Sequence, residues 1–370
     1  MHTIHIRRFM AGAMLLLSAA LTACGGSSGP AARSGSLLPA AFENAKAPVV
    51  VEYGKGINAN ANPAYIVEGS DRAMWFTEVG SGSIGRIDSR GHVTEFKKGF
   101  SKQAGPSGIA LGPDGNVWFA ELGNAPYSVG GIGRITPSGK VTEFRTGLRK
   151  LDAPFGMTRG PDGNLWFTIA RHTRSLTVSG AIGRITTSGA ITVFASGISP
   201  NLVPQLITSG PDGNLWFTED STGHTSGIGR ITPSGVITEF TQGISHNTTL
   251  WGIAAGPDAN LWFTEHTTPL NKVQRSIVAR ITTTGVVTEF SHGLSTAMGP
   301  RGITAGDDGN LWFADYNKPG IGRVTTAGSL ATYAGGLQSN SYLYDIERGA
   351  SKTLWATELV TNRIAKITIP

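Results

Sequence analysis

The stretch GPDGNLWFTED, Gly210 to Asp220, decides the fold, because near-copies of it stand at seven places in the chain. Its tryptophan recurs as Trp75, Trp118, Trp166, Trp216, Trp262, Trp312 and Trp355, at intervals of 43, 48, 50, 46, 50 and 43 residues. Around Trp216 the unit holds four short strand-like runs, QLITSG, NLWFTE, IGRIT and VITEF, with PDG and PSG as turns. Asp-Gly and Ser-Gly suit the tight turns that join antiparallel strands. Four strands per unit, repeated at this period, are the signature of propeller blades. Trp216 and Phe217 point to opposite faces of one strand and both are large and apolar, as a blade packed between two neighbours requires. The sequence predicts an all-β, seven-bladed propeller of four-stranded blades over residues 49–370.

Ring closure is legible too. VVVEY, Val49 to Tyr53, copies the outermost strand yet precedes the first full unit, and the last unit stops after its third strand, RIAKI. The N-terminal strand is therefore predicted to complete the seventh blade, covering edges that would otherwise lie open.

Ahead of the propeller, Arg7 and Arg8 precede the apolar run FMAGAMLLLSAALTA. The run is too short and wrongly flanked to span a membrane and reads as an export signal. It ends in LTAC, which resembles the bacterial lipobox; that resemblance implies removal of residues 1–23 and lipidation of Cys24. Cys24 is the single cysteine, so an intrachain disulfide framework and a cysteine-cluster metal site are excluded. Residues 24–48 are rich in Gly, Ser, Ala and Pro and read as a flexible tether. Gly25 follows the cysteine in place of an Asp, so the expected destination is an outer membrane, facing the periplasm, reached through the lipid anchor only. Loss of the signal, which carries two arginines and no acid, lowers the formal charge from +6 to +4. No basic run points to nucleic acid, and a monomer is expected.

Subtracting the repeat leaves the candidates for function. From each outer-strand aromatic to the next inner strand the spacing is 12 residues, as in Phe96 to Gly108. Only the stretch from Trp to the Ile of IGR (Val278 in the fifth unit) varies, at 9, 14, 16, 12, 16, 9 and 9 residues. Blades two to five thus carry long loops on one face, where function usually lives. An acid recurs after the second strand as Glu78, Glu121, Glu219, Glu265, Asp315 and Glu358, with Ile169 the exception. The third strand brings Arg86, Arg134, Arg184, Arg230, Arg280, Arg323 and Lys366. A repeated cross-strand ion pair is the structural reading of this set; a carboxylate ring is the functional one.

Residues that differ between blades are better site candidates. At the channel end of the inner strands stand Ala64, Ser107, Phe155, Gln205, Trp251, Arg301 and Tyr344. Aromatics and a cation there suit recognition of a small molecule, glycan or protein; packing at the channel mouth is the alternative. His172, His224 and His266 fall one in each long loop of blades three to five, with Glu219, Asp220 and Glu265 nearby. They are either a metal-binding set or ordinary polar loop residues.

The units GPDGNLWFTE and IGRITPSGVITEF resemble the virginiamycin B lyases, the streptogramin lyase family of seven-bladed propellers, and more distantly NHL repeats. The resemblance covers residues 49–370. It implies a magnesium-assisted elimination that opens a ring-shaped antibiotic. The family's active residues are a Tyr on the first inner strand, a His on the sixth, and a Glu-x-His pair and a further Glu in the seventh blade. At the matching positions this chain has Ala64, Arg301, Tyr342 and Tyr344, and only Glu358 corresponds to a family residue. Elimination needs a base near the abstracted proton, and magnesium needs oxygen ligands. The reading favoured by these departures is a surface-anchored binding propeller using Phe155, Gln205, Trp251, Arg301 and Tyr344. The other is a lyase or metal-dependent hydrolase with a rewired site.

Overall fold

In the computed structural model, which describes residues 46–102, 104–123, 130–172, 178–221, 226–267 and 275–370, every regular element is a strand. Seven four-stranded antiparallel sheets form the blades, six of them in simple chain order. The seventh runs Leu343–Arg348, Thr353–Glu358, Arg363–Thr368 and then Val49–Tyr53. Val49 lies opposite Thr368 and Tyr53 opposite Ile364, so the N-terminal strand closes the ring as predicted. The export signal, the lipidation at Cys24 and nearly all of the tether lie outside the described residues. So do His224 and much of the long loops expected to wall one side of the mouth.

Each part of the GPDGNLW phrase has a task. Asp212 Oδ1 accepts the Trp216 Nε1–H at 3.0 Å, and its Oδ2 accepts from the Asn214 amide at 2.8 Å. The turn carboxylate thereby satisfies the one polar atom of a fully buried Trp. Trp216 stacks on Phe240 with centroids 5.4 Å apart, and the Arg230 guanidinium covers both rings at 5.5 and 5.6 Å. Arg230 then donates to the Thr283 carbonyl of the next blade at 3.2 Å. Phe217, on the opposite face, lies so close over Gly229 that any side chain there would collide with its ring.

The predicted cross-strand pairing of the repeated acids with the arginines is wrong. Strand register places Arg230 opposite Trp216, and Glu219 opposite Gly227. The arginines face turn aspartates instead, as in Arg86 with Asp71 at 2.7 Å. The acids are all fully buried, and Glu121, Glu219 and Glu265 lie beside the outer-strand glutamates of their own blades. Those outer glutamates hold the incoming connectors: Glu143 accepts the Ser101 N–H at 2.7 Å, and Glu289 the Ser245 N–H at 2.6 Å. Where Ile169 replaces the acid, Val193 replaces the outer glutamate. In the sixth blade Asp315 stands without an outer glutamate, because Thr332 occupies that place, and it accepts the Gly299 N–H at 2.9 Å instead.

A bulge in every inner strand sets up the channel mouth. Pairing skips between Pro63 and Ile66, Pro154 and Met157, Leu250 and Ile253, Pro300 and Ile303, and likewise in the other blades. Two residues then oppose one, and both can face the axis. Opposite most bulges stands the threonine of WFT. Thr264 Oγ1 accepts the Gly252 N–H at 3.0 Å and donates to the Arg301 carbonyl of the next blade at 2.5 Å. Thr168, Thr218 and Thr357 make the same reach to Gln205, Trp251 and Ala64. The bulges are thus locked blade to blade, and the mouth is built on rigid backbone.

Candidate ligand site at the channel mouth

Arg301 is the centre of the mouth. It follows Pro300 on the sixth inner strand, its side chain only 5% exposed, and the bulge turns it to the axis. Its guanidinium carbon lies 3.8 Å from the Trp251 ring centroid, 4.2 Å from that of Tyr344 and 4.3 Å from that of Tyr316. Three rings supplied by three blades hold one cation, an arrangement worth more per contact when desolvated. Among the described residues Arg301 Nε and Nη1, both buried, have no hydrogen-bond partner. Trp251 Nε1 and His266 Nδ1 are buried and unpartnered too. The His266 ring lies parallel to Trp251 at 6.2 Å. Burial, then the Arg301 charge, pushes its imidazole down to about 3, so it is neutral.

Tyr65 and Phe155 extend the cluster. Tyr65 packs edge-on against Phe155 at 5.8 Å and Tyr344 at 5.4 Å, and its hydroxyl lies 3.4 Å from that of Tyr344. Burial and Tyr344 push the Tyr65 phenol well above its usual range. Below Arg301, Asp345 accepts the Ile66 N–H at 3.2 Å. Burial and then Glu347 push the Asp345 carboxyl up to about 8. Gly302 is needed beside it, because a Cβ there would strike the Asp345 carboxylate. The space between Tyr65, Leu206, Trp251, Arg301, Tyr344 and Asp345 is about 10 Å³, room for about one water-sized group. Deeper in the channel, Ile66, Ile207, Ile253, Ile303, Asp345 and Glu347 help to line about 100 Å³.

The structure brings four of the five proposed ligand contacts together: Phe155, Trp251, Arg301 and Tyr344. Gln205 is not with them. Its side-chain amide turns back to donate to Val203 O at 3.1 Å, and Leu206 lines the space instead. One face of Trp251 is already covered by Arg301, so a ligand ring cannot stack there in this conformation. Tyr65, Tyr316 and Asp345 were missed. Tyr65 and Asp345 are the second residues of their bulges. Tyr316 occupies the place after the repeated acid, where His266 also stands; the variation at that place was the available signal.

His172 and His266 stand in different blades, on the strands Leu165–His172 and Leu261–Thr267, and His224 lies outside the described residues. Among the described residues no group of three metal-ligating side chains forms. His172 is half-buried at the end of the strand Leu165–His172, with its imidazole pushed down by burial. His266 belongs to the Trp251 stack. Glu358 is not at the mouth either: fully buried, it accepts from Thr361 at 2.5 Å and lies near Glu52 and Arg363. It is one of the repeated acids. Magnesium, which the family resemblance implies, takes several oxygen ligands. The mouth offers a cation, N–H donors and one carboxyl occupied by backbone, a set that does not fit that ion.

Fold and mouth together define a seven-bladed propeller with an inner-strand arginine held among aromatic rings. The profile of the virginiamycin B lyase family matches residues 50–174, 124–267 and 173–370, and the chain belongs to that family. A streptogramin B lyase structure is 27% identical, with 87% of this chain and 98% of that chain covered and a TM-score of 0.72. A catalytically inactive His-to-Ala variant of virginiamycin B lyase from Staphylococcus aureus, solved with quinupristin, is 31% identical, with 88% and 100% covered and a TM-score of 0.71. YCF48 bound to D1 peptide, at 12% identity and a TM-score of 0.64, shares the fold alone. Comparison with curated proteins gives no match.

Proposed function

We propose that this protein is an extracytoplasmic binding propeller, held to a membrane through a lipid on Cys24, and that it captures its ligand at the channel mouth without opening it. The observation that carries the reading is Arg301, a permanent cation clamped by Trp251, Tyr316 and Tyr344 where the family resemblance calls for a histidine. A base must accept a proton to start an elimination. Arginine cannot, burial and the Arg301 charge make His266 a poor acceptor, and the Asp345 carboxyl is engaged with the Ile66 N–H. The membership of the lyase family keeps one other reading in play, a lyase with a relocated site.

Incubation of the mature protein with quinupristin and magnesium separates the two. The binding reading expects no olefinic product signal by NMR, at any magnesium level. A new double bond whose rate scales with protein concentration would establish a lyase. The anchor has its own test: Cys24→Ser should move the protein from the membrane to the soluble fraction, and continued membrane retention would rule out lipidation.

A further inference from the structure

Buried N–H donors are costly when they lack an acceptor. At the mouth three such donors are buried without a partner, Arg301 Nε and Nη1 and Trp251 Nε1, and the neutral His266 ring, its Nδ1 also unpartnered, stacks on Trp251. Among the described residues none of the surrounding groups is a hydrogen-bond partner of these nitrogens. The tyrosine hydroxyls of Tyr65 and Tyr344 face each other, and Asp345 accepts from backbone. The single net charge in contact with these rings is that of Arg301. A donor-rich pocket centred on a cation is complementary to an oxyanion.

We infer that Arg301, Trp251 and His266 form an oxyanion-binding site, which takes a carboxylate or phosphate group carried by the ligand. This rests on the binding reading above and gives the ligand its chemical class. Three rings crowd the guanidinium carbon, and Nε and Nη1, left without partners, are the atoms that would make charge-assisted bonds to an anion. The adjoining space, about 10 Å³, admits about one oxygen-sized group. The anion therefore enters as the tip of a ligand whose bulk stays on the outer side. His266, neutral in the free protein, responds to an arriving negative charge by holding a proton more readily.

The test is titration of the full mature protein with inorganic phosphate and, separately, with benzoate, at constant ionic strength set by chloride. His266 ring signals, assigned by their loss in His266→Gln, and tryptophan fluorescence are followed together. The site predicts saturable shifts with phosphate, benzoate or both, none with chloride, and a His266 titration displaced upward in the bound form. The arm that saturates tells phosphate from carboxylate. Arg301→Lys, which keeps the charge but loses the planar fork, should weaken binding by about tenfold or more, and Arg301→Met should abolish it. Far-UV circular dichroism melts establish that both variants keep the propeller. If neither anion saturates the wild type, or if Arg301→Met binds as the wild type does, the assignment is wrong. Quinupristin binding without anion binding would overturn the oxyanion site alone. Ring opening of quinupristin by a protein that still binds the anion would overturn the binding reading alone.

Discussion

The Arg301 guanidinium lies 3.8 Å from the Trp251 ring centroid, whereas Arg230 covers Trp216 at 5.5 Å. The two Arg–Trp pairs share a chemistry and differ in position. Trp216 is a fully buried wedge between blades, with its indole N–H satisfied by Asp212. Trp251 is half-buried at the mouth, with its indole N–H unpartnered.

Two substitutions should therefore part company. Trp216→Ala opens a cavity between blades and is expected to cost about 3–5 kcal/mol. Trp251→Ala should cost clearly less stability, yet weaken ligand binding by about 1–3 kcal/mol if the ring is an anchor. Urea denaturation of the two variants measures the first difference. Equal destabilisation would make Trp251 a core residue and remove it from the site.

Thr264 is expected to matter through its hydroxyl. Thr264→Val keeps the shape and deletes both the acceptor for Gly252 N–H and the donor to the Arg301 carbonyl. Stranding those backbone groups should cost about 1–3 kcal/mol, and Thr264→Ser should recover most of it. A valine variant as stable as wild type would mean that the blade-to-blade relay contributes nothing.

Stability should depend on pH through the buried acids. Burial, with the outer-strand glutamates beside them, raises Glu121 and Glu265 from 4.5 to about 8. The folded chain then holds protons that the unfolded chain releases, so their contribution is complete below pH 4.5 and is lost as pH rises to about 8. Melting temperature should fall across that window and flatten above it. Glu265→Gln, which mimics the protonated form, should reduce the slope. A slope unchanged in that variant would contradict the assignment.

Deleting residues 49–54 removes the strand that pairs Val49 to Thr368 and Tyr53 to Ile364. An exposed edge should follow, with a lower melting temperature and aggregation. Deleting residues 25–45 should leave the melting temperature nearly unchanged. Equal effects would argue against closure by that strand.

The propeller was legible because the blade is written seven times, and each copy of Asp, Trp, Gly and Arg answers a local packing demand. The mouth was legible in part. Removing the repeat exposed Phe155, Trp251, Arg301 and Tyr344, since residues with no duty in the blade vary from copy to copy. Tyr65 and Asp345 stayed hidden because alternation along a strand assigns neighbours to opposite faces, and the bulge cancels that rule at the one place where it counts. Gln205 obeyed the spacing but spent its amide on Val203. The acids misled for a different reason. Sequence spacing places Glu219 and Arg230 on paired strands without giving the register, and the register sets Arg230 against Trp216.

The central claim is that Arg301 occupies the channel mouth inside a cage of aromatic rings. Nuclear magnetic resonance of its side chain tests this most directly, because protons held over ring faces are displaced upfield by the ring currents. The Arg301 Nε–H and Cδ protons should resonate well upfield of the other arginines and return toward ordinary positions in Trp251→Ala. Arg301 signals already at ordinary positions in the wild type would contradict the cage, and with it both the binding reading and the oxyanion site.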